Sequence, residues 1–214
     1  MNLPKSMFNA AAVLGLVALL GMGLVALIHD RTGERIAANE RAVLLHTLET
    51  LVPARSFDND LLADTITVDD ATLDSRLAVT VYRARKLGKP VAAVLSPVAP
   101  DGYNGAIKLL VAIRADAVLA GVRAIGHRET PGLGDPIDID KSDWMLGFDG
   151  RSLNDPPEPR WKVKRDGGDF DQFTGATVTP RAVVKAVYRT LAFFERNRAR
   201  LFGEAEGSEL NVDE

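Results

Sequence analysis

The 214-residue chain contains no cysteine, which excludes disulfides, iron–sulfur clusters held by thiolates and thioether-linked haem. Its three histidines, His29, His46 and His127, lie too far apart in the sequence to form a recognisable metal-ligand motif. Acidic and basic residues nearly balance, at a formal net charge of −3, so nothing in the composition favours a nucleic-acid partner. Any redox chemistry of this chain therefore requires an organic cofactor.

One long apolar run stands near the start of the chain. Residues 7–28 contain a single polar side chain, that of Asn9. As a helix this run would span roughly 33 Å, enough to cross a bilayer core of about 30 Å. Secretory signal peptides have a shorter apolar region and a small-residue cleavage site, which does not follow here. The sequence predicts a short segment over residues 1–6 and then one uncleaved transmembrane anchor over 7–28.

The charges beside this run give only a weak signal for its orientation. Lys5 precedes it, whereas Arg31, Arg35 and Arg41 follow it. Counting lysine and arginine alone would leave the rest of the chain in the cytoplasm. Acidic residues alternate with these arginines, so the count does not decide the side.

Two periodicities follow the anchor. Apolar residues repeat at helical spacing over residues 32–52, with Thr32 as a predicted N-cap and Pro53 as the end, and residues 54–65 are loop-like. From residue 77 the period becomes two, in short β-rich runs at 79–82, 91–95, 107–113 and 118–125. Short strands with brief turns predict an antiparallel meander.

A last helix is predicted from Pro180 to about Arg198, followed by an acidic, disordered tail over residues 203–214. Helices before and after a run of strands are typical of an α+β domain. We expect a twisted antiparallel sheet flanked by helices over residues 29–202, preceded by one N-terminal transmembrane helix.

The most informative string, DQFTGATVTP, covers residues 171–180. Thr179 suits an N-cap and Pro180 suits the first helical position, so the string is a loop that enters a helix. Free backbone N–H groups and the positive end of the helix dipole favour an anion such as phosphate there, and Gly175 and Ala176 leave room for it. An ordinary helix cap with no ligand has the same pattern, and these rules alone leave both interpretations open.

The string matches the pattern Asp-x-x-Ser/Thr-Gly-Ala-Thr and so resembles the flavinylation motif of the FMN-binding domain family. In that family a flavin transferase, using FAD and a divalent metal, joins the last threonine to the phosphate of FMN. The resemblance implies covalent FMN on Thr177. It also implies that the transferase reads Asp171, Thr174, Gly175 and Ala176, which shape the phosphate pocket.

A second string, HRETPGLG at residues 127–134, together with GYNG at 102–105, resembles the G subunit of the Rnf (Rsx) ion-translocating electron-transport complex. It is similar, more loosely, to the C subunit of the sodium-pumping NADH:quinone reductase. Thr130-Pro131-Gly132 favours a type II turn. The resemblance implies a glycine loop against the flavin and adds six cofactor-binding residues: Tyr103, Glu129, Thr130, Gly132, Leu133 and Gly134.

Other polar residues receive structural interpretations. His127 is expected to be a structural histidine, and Trp144 a buried core indole rather than a flavin contact. The acidic residues that follow the glycine loop lack calcium-loop spacing and are expected to form a solvated edge, so no metal site is predicted. They are Asp135, Asp138, Asp140 and Asp143. Three basic residues can either hold the flavin phosphate or lie exposed: Lys162, Lys164 and Arg165.

The resemblance implies an electron-carrier subunit with no catalytic residues of its own. Its complex would move electrons between reduced ferredoxin and NAD and couple this to sodium or proton translocation. The chain would be a single-pass protein of the bacterial inner membrane with a periplasmic domain, and its partners would be the other subunits and the flavin transferase. The alternatives are a C-type subunit of the quinone reductase, a flavin-bearing sensor, and a non-redox anchored periplasmic binding or scaffold domain.

Overall fold

The computed structural model describes residues 5–75 and 77–203, which form two compact units divided between His46 and Thr47. Two long helices are present, α1 over Lys5–Leu51 and α2 over Val178–Phe202. Between them lie six strands and several short 3-10 turns. The strands are β1 Thr65–Val68, β2 Val79–Lys86, β3 Lys89–Leu95, β4 Val98–Gly102, β5 Gly105–Arg114 and β6 Leu119–Gly126.

The first unit contains α1 as far as His46, and the apolar part of this helix exposes its side chains. From Met7 onward one window of the helix reaches a mean hydropathy of 2.7, and none of that window is buried. By length and composition this helix can cross a membrane. A helix with apolar residues on every side is stable when hydrocarbon rather than water surrounds it.

The separate helix predicted from Thr32 is wrong, because α1 continues through this residue. Thr32 does not cap a helix; its hydroxyl donates back to the carbonyl of Ile28 at 2.8 Å, a common bond for a threonine inside a helix. No proline interrupts the chain between residues 5 and 52. The predicted end is confirmed, since α1 stops at Leu51, two residues before Pro53.

The second unit contains an antiparallel sheet in the order β1-β2-β3-β5-β4, with β6 also paired to β5. The predicted α+β class is therefore confirmed. Val81, Leu95 and Val111 occupy paired positions on β2, β3 and β5, and all three are fully buried. Two strands were not predicted: β1, whose first residue ends the predicted loop over residues 54–65, and β4.

Helix α2 covers this sheet with the predicted apolar stripe. Val183, Val187, Leu191 and Phe194 are all fully buried. The helix begins at Val178, with Thr177 as its N-cap, so the predicted start at Thr179 and Pro180 is corrected by two residues. Residues 204–214 of the predicted tail lie outside the described residues.

Between β6 and α2 the chain folds around an aromatic cluster. The ring of Phe148 stacks on Phe170 and Trp161, at centroid distances of 4.7 and 6.4 Å. Trp144 packs its edge against Phe148 and is half-buried, less than a core indole would be. Its Nε1–H donates to the carbonyl of Asp171 at 2.8 Å. The cluster therefore fixes the start of the DQFTGAT loop.

Candidate functional site

Two turns of the same type face each other at the start of α2. The first is the predicted turn, closed by the Leu133 N–H on the Thr130 carbonyl at 3.1 Å, and the second is closed by the Ala176 N–H on the Phe173 carbonyl at 3.2 Å. Gly132 and Gly175 occupy their third positions with φ of 76° and 81°, as a type II turn requires. A side chain is strained at such φ values, which explains glycine in both motifs.

A cavity of about 300 Å³ lies between these turns and the first residues of α2. Eight of the eleven predicted site residues line it, which brings together strings that are far apart in the sequence. They are Tyr103, Glu129, Thr130, Leu133, Gly134, Gly175, Ala176 and Thr177. Val178 and Thr179 complete the wall.

The other three predicted residues do not line the cavity. Gly132 donates its N–H to the Asp135 carboxylate at 2.6 Å. The Asp171 carboxylate is exposed and pairs with the Lys164 ammonium at 2.6 Å. Thr174 is exposed on the second turn. An exposed Asp171 and Thr174 are accessible to a modifying enzyme, whereas Gly132 shapes the loop.

Glu129 joins three elements at the cavity wall. Only 5% of this residue is exposed. Its carboxylate accepts the backbone N–H groups of Tyr103 and Asn104, at 3.3 and 3.0 Å, and the hydroxyl of Thr179. Buried charges are tolerated when hydrogen bonds replace water. Glu129 thus fixes the β4–β5 turn, its own loop and the first turn of α2 together.

The bond to Glu129 explains the different roles of the two threonines at the start of α2. Thr179 is fully buried, and its hydroxyl donates to Glu129 instead of capping the helix. Thr177 holds the N-cap position, yet its side chain makes no cap hydrogen bond. Its hydroxyl has no hydrogen-bond partner among the described residues. Thr177 lines the cavity, and its hydroxyl is available for another bond.

The surrounding residues fit a flavin and its phosphate. The first turn of α2 contains no acidic residue, so its free N–H groups can donate to an anion beside Thr177. Tyr103, Leu133 and Val178 line the same cavity and are 68%, 45% and 41% exposed. These apolar side chains suit the flat ring of a flavin, whose burial would remove apolar surface from water.

The acidic residues after the glycine loop are not a uniformly solvated edge. Asp135 is buried and accepts the Gly132 N–H, which corrects the predicted solvated position. Asp138 contacts His127 Nε2 at 2.9 Å, while His127 Nδ1 accepts the Glu129 N–H at 3.1 Å. His127 is therefore bonded at both ring nitrogens, as predicted for a structural histidine. No cluster of metal-ligating side chains is found within residues 5–75 and 77–203.

A larger cavity of about 660 Å³ lies on another side of α2 and contains no residue of either motif. Three of its basic residues are paired with acids, including Arg189 with Asp74. The guanidinium of Arg181 donates twice to Asp166 at 2.6 Å and thereby lowers the pKa of that carboxyl. Lys185 pairs with Asp101 at 2.7 Å. Volume alone would select this cavity, but the smaller one is lined by residues of both motifs, including Thr177.

Comparison with known proteins agrees with this geometry. A model of the FMN-binding domain matches residues 102–192, which include both turns and every predicted site residue, and a model of the RnfG N-terminal region matches residues 1–51. The G subunit of an ion-translocating oxidoreductase complex from Shewanella loihica is 47% identical over 210 residues, covering 98% of this chain and 99% of its own length. The chain belongs to this G-subunit family.

Other members of the family agree over the same length. The corresponding G subunit of Pseudomonas aeruginosa strain UCBPP-PA14 is 49% identical over 205 residues, covering 95% of this chain and 96% of its own. That of Shewanella oneidensis is 43% identical over all 214 residues. The predicted resemblance to the Rnf G subunit is thus confirmed across nearly the whole chain.

Proposed function

We propose that this chain carries FMN, esterified through its phosphate to Thr177, and transfers electrons within a membrane-bound ion-translocating oxidoreductase complex. The observation that carries the proposal is the Thr177 hydroxyl. It lines a cavity at a helix N-terminus and is not used by the helix cap. Bound FMN would supply one- and two-electron chemistry, while the protein supplies position and tunes the potential.

Attachment requires a hydroxyl that an enzyme can reach. In the proposed step a flavin transferase joins Thr177 Oγ1 to the FMN phosphorus of FAD, the P–O–P bond breaks, and AMP and the hydroxyl proton leave. Thr177 is half-buried, and the Gly175–Ala176 pair before it keeps steric bulk low. Thr179 does not compete, because it is fully buried and its hydroxyl is bonded to Glu129.

A covalent carrier also suits the place of the chain in a complex. The tether keeps FMN at a fixed effective concentration beside its partners, and a membrane helix does the same for the domain. We propose reduced ferredoxin and NAD as the terminal donor and acceptor of the complex, with other subunits as immediate partners. The near full-length match to the G-subunit family favours this over a quinone-reductase C subunit.

The attachment site is tested with two variants: Thr177→Val, which is isosteric and lacks the hydroxyl, and Thr177→Ser, which keeps the hydroxyl and loses only the methyl group. After co-expression with a flavin transferase, we expect a fluorescent wild-type band in a denaturing gel, heavier by one FMN less one water. Thr177→Ser keeps the hydroxyl and should keep this label. Thr177→Val removes the hydroxyl and should lose the label. A dark, unmodified wild type beside a labelled reference acceptor would reject the proposal and favour the scaffold alternative.

We further propose that the second unit lies in the periplasm, against the simple lysine and arginine count. Because the chain has no cysteine, a single introduced thiol reports its side of the membrane. Leu87 is 86% exposed in the β2–β3 turn. We expect Leu87→Cys to react with a membrane-impermeant maleimide in intact cells. Labelling that occurs only after lysis would place the unit in the cytoplasm.

A further inference from the structure

Glu129 is the one charged residue among the ten described residues that line the smaller cavity. Its three hydrogen-bond donors all suit a carboxylate with a negative charge, and no basic side chain lines this cavity. Two neutral backbone N–H groups and one hydroxyl reduce the effect of that charge but do not cancel it.

We propose that Glu129 lowers the reduction potential of the flavin bound at this site, because its carboxylate holds a negative charge beside the flavin. The inference rests on the proposed attachment of FMN at Thr177. Each electron that a donor passes to the flavin adds one negative charge unless a proton follows. A nearby carboxylate in a partly dry cavity opposes that added charge.

Thr179 modulates the same effect. Its hydroxyl donates to Glu129 Oε2 and so withdraws part of the carboxylate charge from the cavity. Removing the carboxylate charge and removing this donor should therefore move the potential in opposite directions. A residue that acted only by holding the loop in place would not produce opposite shifts, since both variants weaken the same contact.

The test is the midpoint potential of the FMN-loaded, full-length protein, measured by titration with dithionite beside reference dyes. Glu129→Gln keeps an acceptor for Asn104 and removes the charge. We expect its potential to rise, with about a tenfold shift of the one-electron equilibrium, or about 59 mV. Thr179→Val is isosteric and removes the hydroxyl that donates to the Glu129 carboxylate. The flavin's midpoint potential in this variant should therefore fall.

Asp135→Asn is the matched control. It removes the other buried carboxylate of the loop, which lies outside the cavity wall. Its potential should shift less than that of Glu129→Gln. Shifts of the same sign in Glu129→Gln and Thr179→Val, or an equal shift in Asp135→Asn, would overturn the inference. A wild-type protein without FMN after denaturation would instead reject the proposed function, so the two failures are distinguishable.

Discussion

Replacing Gly134 by alanine is expected to reduce FMN loading about tenfold or more while the domain stays folded. Gly134 has an ordinary φ of −100°, so alanine meets no backbone strain there. A Cβ at this position would lie 2.9 Å from Glu129 Cβ and 2.9 Å from Thr179 Oγ1. Overpacking of this kind costs about 1–3 kcal/mol, and each 1.4 kcal/mol changes an equilibrium about tenfold.

The neighbours of Gly134 cannot move away without opening the cavity. The Tyr103 and Asn104 N–H groups hold Glu129, and helix α2 holds Thr179. The clash can therefore be relieved only if the glycine loop moves away from α2. Gly126→Ala is the control, because its Cβ would make only ordinary contacts with Lys108, from 3.6 Å. Loading is measured as flavin fluorescence per denatured protein. Equal FMN loading in both variants would show that the close packing of Gly134 against Glu129 and Thr179 does not govern attachment.

Much of this site was accessible from the sequence because two strings carry it. Gly132 marks a predicted turn that needs a positive φ, Gly175 was singled out for its small size, and the helix after Thr177 has a clear apolar stripe. These features depend on neighbours within four residues, so local rules find them. The family resemblance added the identity of the ligand, which no spacing rule supplies.

What the sequence missed depends on distant partners. Thr179 looked like an N-cap because capping rules consider only the next three residues, whereas its partner Glu129 lies fifty residues away. Asp135 looked solvated because acidic residues usually are, yet the Gly132 N–H satisfies it in a buried position. Neither contact produces a periodic pattern in the sequence that such rules could detect.

Strand β4 was missed for a different reason. It contains Pro100, and proline in a strand pattern favours a turn. The structure tolerates it because β4 ends the main order of the sheet, where an N–H is not needed, and its register with β5 is irregular after Ala99. Strand β1, at the other end of the order, has four residues, too few for a clear alternation.

The largest loss of stability is expected from Gly168→Ala, within the segment that supports the DQFTGAT loop. A Cβ there would overlap the backbone carbonyl of Lys162, and no side-chain motion can relieve this contact. The segments around Lys162 and Gly168 must move apart, which breaks the hydrogen bond from the Lys164 N–H to the Phe170 carbonyl at 2.7 Å. Phe170 would then leave its stack on Phe148. We expect the free energy of unfolding to fall by about 3 kcal/mol or more.

Intrinsic fluorescence reports this transition directly, because the two tryptophans of the chain, Trp144 and Trp161, both contact the aromatic cluster. Thermal melts of the detergent-solubilised protein would compare Gly168→Ala with Gly147→Ala, whose Cβ has nothing within 4 Å. Gly147→Ala should melt close to wild type. Since Trp144 also bonds the Asp171 carbonyl, a loosened cluster should release the start of the DQFTGAT loop and lower FMN loading together with stability. A Gly168→Ala protein that melts like Gly147→Ala would mean that residues 162 and 168 do not pack as closely as described.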